Sequence, residues 1–234
     1  APRPPTVAKR PEPNPAEIYA YPVGNGPTVG PSNALVTVVR LTEYACPYCE
    51  RSRATMEGLQ KKYGPQLRIV YKPYVVHPRV ATAPALATCA AHRQGKWKAM
   101  DALVWKNIYE PRAFDKASDD GTECWQNDTC RNLETQARAI KLNMKKFRAD
   151  MRSCKAELDT DMAQATAFGV HATPSFFING RFMSGAQPQE MFEQLIDAEL
   201  ARAQDAVRTG TAASDYYQTH VIAIGSPSLQ PPTP

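Results

Sequence analysis

The chain has 234 residues, of which 22% are charged and 43% belong to the apolar set, with a formal net charge of +5. That length carries a full hydrophobic core, so disulfides are not needed to compensate for smallness, and no apolar run reaches membrane-spanning length. Lys and Arg are dispersed among acids, as at Arg51, Arg53, Lys61, Lys62, Lys145 and Lys146, which fits a solvated surface and argues against a nucleic-acid partner.

Residues 1–31 hold nine of the 21 prolines, among them Pro2, Pro4, Pro5, Pro11, Pro13 and Pro15. They are expected to form an extended arm with little core of its own, with order starting near Tyr19. The run Leu35 to Leu41 is short, β-branched and apolar on both faces, as a central strand covered by helices would be. A helix should begin at Cys46, with Pro47 in its first turn and Ser52, Met56, Leu59 and Tyr63 on one side, and stop at Gly64-Pro65. Leu67 to Val76 again reads as a strand.

The pattern then turns helical. Leu86 and Cys89; Trp97, Met100 and Val104; Leu133, Ala137 and Ile140; Phe147, Met151 and Cys154; and Leu158, Met162 and Ala165 fall at helical spacing, which predicts a helical insertion over residues 79–166 ending near Gly169. Ser175 to Ile178 and Arg181 to Ser184 flank Asn179-Gly180, a hairpin signal. A closing helix is expected from about Pro188, with Phe192, Ile196 and Leu200 inward, then a C-terminal extension over residues 205–234. That extension includes a short helix around Ala212–Ala223 and a loose Pro-rich end at 227–234.

The chemistry concentrates at Cys46-Pro47-Tyr48-Cys49, where a strand feeds a helix start. Thiol exchange needs a thiolate, and free N–H groups with the positive end of a helix dipole stabilise one, so Cys46 should be the attacking sulfur. Cys49, one turn on, can resolve a mixed disulfide, while Pro47 and Tyr48 tune rigidity and access. A zinc site is the competing reading. Cys124 and Cys130 lack the tight spacing of a second knuckle and no His stands at ligand spacing, so no metal is expected.

Gly169 to Gly180 supplies a second signal, because Pro174 stands immediately before an apolar strand and cannot donate to its ladder. With Val36–Leu41, Cys46–Cys49 and the segment Ala87–Trp97, this pattern resembles the thioredoxin superfamily, and specifically bacterial DsbA-like oxidoreductases with a helical insertion, from about Tyr19 to Gln204. The resemblance implies an α/β fold in which residues 32–78 and 167–204 form a thioredoxin-fold domain. It also implies that Pro174 is cis, and that Thr173 pairs with an extended substrate segment beside Cys46.

The resemblance carries one departure. Many members place a buried acid six positions before the first cysteine, and this chain has Arg40 there, with Glu43 nearby on a different register. Arg40 either lies near the sulfur, favouring the thiolate and slowing proton delivery to Cys49, or extends to solvent. Similar members carry cysteines where Cys89 and Cys154 stand, which implies a bridge between these two; buried free thiols are the alternative. Cys124 and Cys130, close in sequence around a polar stretch, suit a small disulfide-closed loop.

These residues point to exchange of disulfides with cysteine-containing polypeptides, with a partner protein resetting the Cys46/Cys49 pair and no cofactor, since the electrons reside on sulfur. Oxidase, isomerase and reductase share this machinery, and a redox-inert peptide-binding or chaperone module is the rival class. Six cysteines fit a periplasmic or otherwise extracytoplasmic location, with a removed N-terminal segment as a candidate tether.

Overall fold

The computed structural model describes residues 13, 14 and 16–229; the remainder of the Pro-rich arm and of the C-terminal end lies outside the described residues. The chain runs β1 (Thr28–Val29), β2 (Val36–Thr42), α1 (Pro47–Tyr63), β3 (Leu67–Pro73), α2 (Pro78–His92), α3 (Trp97–Val104), α4 (Arg131–Ala139), α5 (Met144–Phe168), β4 (Ser175–Ile178), β5 (Arg181–Ser184) and α6 (Gln189–Arg208). Strands join in the order β1-β3-β2-β4-β5. The pair β2–β3 is parallel and the other three pairs are antiparallel.

The central position of β2 follows from its composition: a Val-rich segment without Gly or Pro, buried at six of its seven residues, tolerates cover on both faces. Alternation then sorts its side chains. Val36 and Val38 face α1 and α6, meeting Met56, Leu59, Phe192 and Ile196. Val39 and Leu41 face the opposite layer, where Phe177, Phe168 and Ala165 wait. A third cluster lies among α2 to α5 and extends to Cys46 and Cys49 themselves.

Two expectations need correction. Order near Tyr19 is as expected, but the segment up to residue 31 adds more than a little to the core: Tyr19 and Tyr21 are buried, Tyr21 stacks on Phe177 with centroids 4.5 Å apart, and Thr28–Val29 adds an edge strand to β3. Proline density marked it as extended, but its aromatics supply apolar area that the sheet's second face requires. The strand read as Leu67 to Val76 ends at Pro73, because the N–H groups of Val76 and His77 turn to the Glu43 carboxylate instead of a ladder.

The C-terminal part also packs. Helix α6 runs to Arg208, past residue 204, and Tyr216, Tyr217 and Val221 are buried beyond it. A π-helical turn spans Gln218–Ile222 inside the stretch expected as a short helix. Ser226 bridges to Tyr19, and the Leu229 N–H donates to the Phe168 carbonyl at 2.7 Å, so the described part of the 227–234 end is held rather than loose. Gly180 shows why the hairpin turn takes glycine: its φ is +83°, and an added Cβ would lie 2.8 Å from the Tyr19 carbonyl oxygen.

Candidate active site

Strand β2 delivers the chain to the site and α1 receives it. Cys46 is the N-cap of α1, in extended conformation, with Pro47 at the first helical position where a missing N–H breaks no bond. Its sulfur accepts the Cys49 N–H at 3.3 Å, taking the place a Ser or Asp oxygen fills in ordinary caps. Cys49 is one turn behind and fully buried, whereas Pro47 and Tyr48 form the exposed rim, Tyr48 at 54% exposure with the Arg51 guanidinium 5.3 Å over its ring.

Sheet register brings the second loop to the same place. Since Leu41 pairs with Ser175, the residues before Ser175 fall beside the point where β2 leaves the sheet. The Thr173–Pro174 bond is cis, and the Ser175 hydroxyl fastens the loop to the Ala172 carbonyl at 2.8 Å. The Cys46 sulfur lies 3.3 Å from the Thr173 carbonyl oxygen. Cys46, Cys49, Thr173 and Pro174 are thus gathered at one end of the sheet.

The two sulfurs are driven apart in acidity. A hydrogen bond from the Cys49 thiol, the Thr173 side chain and the N–H groups of Cys49 and Tyr48 bring Cys46 down to about 6 against the opposing effect of burial. Burial, followed by the same bond to Cys46, pushes the Cys49 thiol up; the Thr42 hydroxyl and the Glu43 N–H relieve it in part. At neutral pH the arrangement holds one thiolate and one protonated thiol.

Arg40 neither reaches the sulfurs nor extends to solvent. It is 3% exposed on the α1 face of β2, donates from one terminal nitrogen to the Cys49 carbonyl at 2.6 Å and the Ser52 hydroxyl at 2.9 Å, and lies 5.6 Å over the ring of Tyr71, its partner across the ladder. Two-residue alternation puts it on the same side as Val38, facing the first turns of α1, where the Cys49 carbonyl and the Ser52 hydroxyl accept from it. Glu43 acts on the pair through its backbone N–H, and its side chain is engaged elsewhere. Its buried carboxylate accepts the Val76 and His77 N–H groups at 2.7 and 2.9 Å and pairs with the His77 ring, fixing the turn into α2.

Cys89 joins Cys154 and Cys124 joins Cys130, with S–S distances of 2.01 and 1.96 Å. Cys124 and Cys130 therefore present no thiolates that could complete a metal site with Cys46 and Cys49. Tyr44 and Asp101 escaped the sequence reading. The Tyr44 hydroxyl donates to Asp101 Oδ1 at 2.8 Å, and Trp105 Nε1 donates to the same oxygen at 3.2 Å. Tyr44 could have been flagged by its place two residues before Cys46; Asp101, one acid on an amphipathic helix, carries no local signal.

The thioredoxin family profile matches residues 23–198. A thioredoxin-like oxidoreductase from Silicibacter pomeroyi DSS-3 superposes with a TM-score of 0.57 at 27% identity, covering 80% of this chain and 95% of that one. Wolbachia pipientis α-DsbA1 superposes with a TM-score of 0.64 at 17% identity, covering 80% and 96%. Among curated proteins, the Na(+)/H(+) antiporter NhaA of Herminiimonas arsenicoxydans is 25% identical over 171 residues, 72% of this chain. The chain spans about a quarter of that relative's length, and no helix among the described residues is long and apolar enough to cross a membrane. A parallel β2–β3 pair, a hairpin, a cis-proline loop and a cysteine-capped helix are joined by an inserted helical layer, a fold shared with α-DsbA1, and the family profile covers most of their length: the chain belongs to the thioredoxin family.

Proposed function

We propose that the protein exchanges disulfides with cysteine-containing polypeptides outside the cytoplasm, cycling between a Cys46–Cys49 disulfide and a dithiol. The observation that carries this reading is the placement of Cys46 as a helix N-cap, with Cys49 one turn behind and Thr173 across from it. The Cys46 thiolate attacks a substrate disulfide, and Cys49 then displaces the substrate from the mixed disulfide. The backbone of Thr173 offers an extended substrate segment a strand edge beside the reacting sulfur. Pro47 and Tyr48 shape access at the rim.

The two disulfides within residues 89–154 support an oxidising compartment, since thiols in the cytosol are kept reduced. A partner protein that accepts or donates the electron pair resets the site. The test is insulin reduction with dithiothreitol. Cys46→Ala is expected to fall to the uncatalysed rate, and a variant that keeps the wild-type rate removes the proposal. The reduction potential of the pair then sets direction, an oxidising value marking a donor of disulfides and a reducing one the opposite.

A further inference from the structure

The proposed exchange leaves one proton without a destination. Cys49 is fully buried and its thiol is held protonated, yet it must become a thiolate to resolve a mixed disulfide. Arg40, the ionisable side chain of β2 closest to it in the fold, is donor-only and bonds the Cys49 carbonyl, so it can take no proton. Cys46 is covalently occupied at that moment, and the Glu43 carboxylate is engaged with Val76 and His77.

A cavity of about 60 Å³ is lined by Thr42, Tyr44, Tyr71, Thr88, Trp97 and Asp101. A water needs roughly 10–15 Å³ of such space and two or more polar partners, so the cavity has room for at least one. Thr42 stands at the boundary: its buried Oγ1 has no hydrogen-bond partner among the described residues, it acts on the Cys49 thiol, and it forms part of the cavity wall. Asp101 faces the same cavity from the helical layer. Its Oδ1 is held by Tyr44 and Trp105, while among the described residues Oδ2 receives no hydrogen bond.

The geometry points to Asp101 as the proton acceptor for Cys49, reached through the Thr42 hydroxyl and water in the cavity. The Cys49 proton passes to the Asp101 carboxylate. The Cys49 sulfur forms its bond to Cys46 Sγ as the bond from Cys46 to the substrate sulfur breaks, and the electron pair leaves on the substrate thiolate. No outside oxidant enters the step.

The charged and titratable groups around Asp101 are consistent with that role. Arg40 of β2 and Arg53 of α1 draw its carboxyl towards the charged form, while burial, the largest effect, raises it. Tyr71 of β3 and Tyr44 of the β2–α1 loop are both pushed up by burial and remain neutral donors. Lys72 of β3 is taken by Asp161 of α5 at 2.6 Å. A raised carboxyl is a better base for a thiol than an ordinary one, and stays ionised above its shifted pKa.

The test rests on the exchange reading and separates from it. Reduced protein is mixed with oxidised glutathione and acid-quenched, and mass spectrometry follows formation of the Cys46–glutathione adduct and its resolution by Cys49. Asp101→Asn is expected to leave adduct formation unchanged and to slow resolution about tenfold or more at pH 7. Its resolution rate should then climb about tenfold per pH unit between pH 6 and 8, as hydroxide replaces the lost base, and added acetate should restore it. Thr42→Val, which leaves Asp101 and its donors in place, is expected to show the same slowing.

Resolution at the wild-type rate in Thr42→Val, or slowing in Asp101→Asn that neither pH nor acetate relieves, overturns the inference. Absence in the wild type of both the adduct and the Cys46–Cys49 disulfide instead overturns the exchange reading itself.

Discussion

Replacing Cys49 by Ala should raise the pKa of Cys46, because the Cys49 thiol is the largest of the contributions that hold Cys46 at about 6. The N–H donors of Cys49 and Tyr48 are backbone groups and survive the substitution. A hydrogen bond to a charged group is worth about 1.5–3 kcal/mol, and at 1.36 kcal/mol per pKa unit the variant should titrate at about 7 to 8. The thiolate fraction at pH 7 then drops from about nine-tenths to between about one-tenth and one-half.

Absorbance at 240 nm against pH reads the thiolate directly, and the pH profile of iodoacetamide alkylation gives an independent value. A Cys49→Ala protein that still titrates near 6 would show that the helix N–H groups suffice and that the thiol–thiol bond contributes nothing. The sign of the linked stability is fixed by the same shift. Cys46 is depressed in the fold, so its contribution to the stability of the reduced protein is fully present above the unfolded value of 9.0 and is lost as pH falls through about 6. In the variant the contribution should be smaller and its loss complete at higher pH, about 7 to 8.

Three further changes probe the scaffold. Removing the Cys89–Cys154 bridge by a double Ser substitution should destabilise by about 4 kcal/mol in urea unfolding. The short Cys124–Cys130 loop should cost only about 2, since loop-closure entropy grows with the sequence separations of 65 and 6; equal losses would contradict that account. Tyr21→Ala should destabilise by about 3–5 kcal/mol, as loss of a buried aromatic does; a loss under about 1 kcal/mol would mean that the N-terminal segment is not part of the core.

Patterns that depend on near neighbours were legible. The Val-rich central strand, the amphipathic face of Ser52, Met56, Leu59 and Tyr63, and the Asn179-Gly180 turn all follow from periodicity or local backbone preference, and the structure places each within a residue or so of its expected span. What stayed hidden depends on distant partners. The two-residue strand Thr28–Val29 is too short to carry a period and exists because β3 offers it an edge. The sequence leaves Arg40 two directions, towards the sulfur or towards solvent, and the direction it takes instead is chosen by the Cys49 carbonyl and Ser52 of α1. Pro73 ends its strand where Glu43 captures the next free N–H groups, a competition that no window of sequence displays.

Both covalent crosslinks lie wholly within the helical roof, between residues 89 and 154, and neither reaches the sheet. A reductant strong enough to open them would slacken α2 to α5 while the two sheet cores keep their packing. Tyr44 and Asp101 meet at that seam, one anchored to the sheet and one to the roof. The redox state of the surroundings therefore sets how firmly the upper layer is clamped over the cysteine pair.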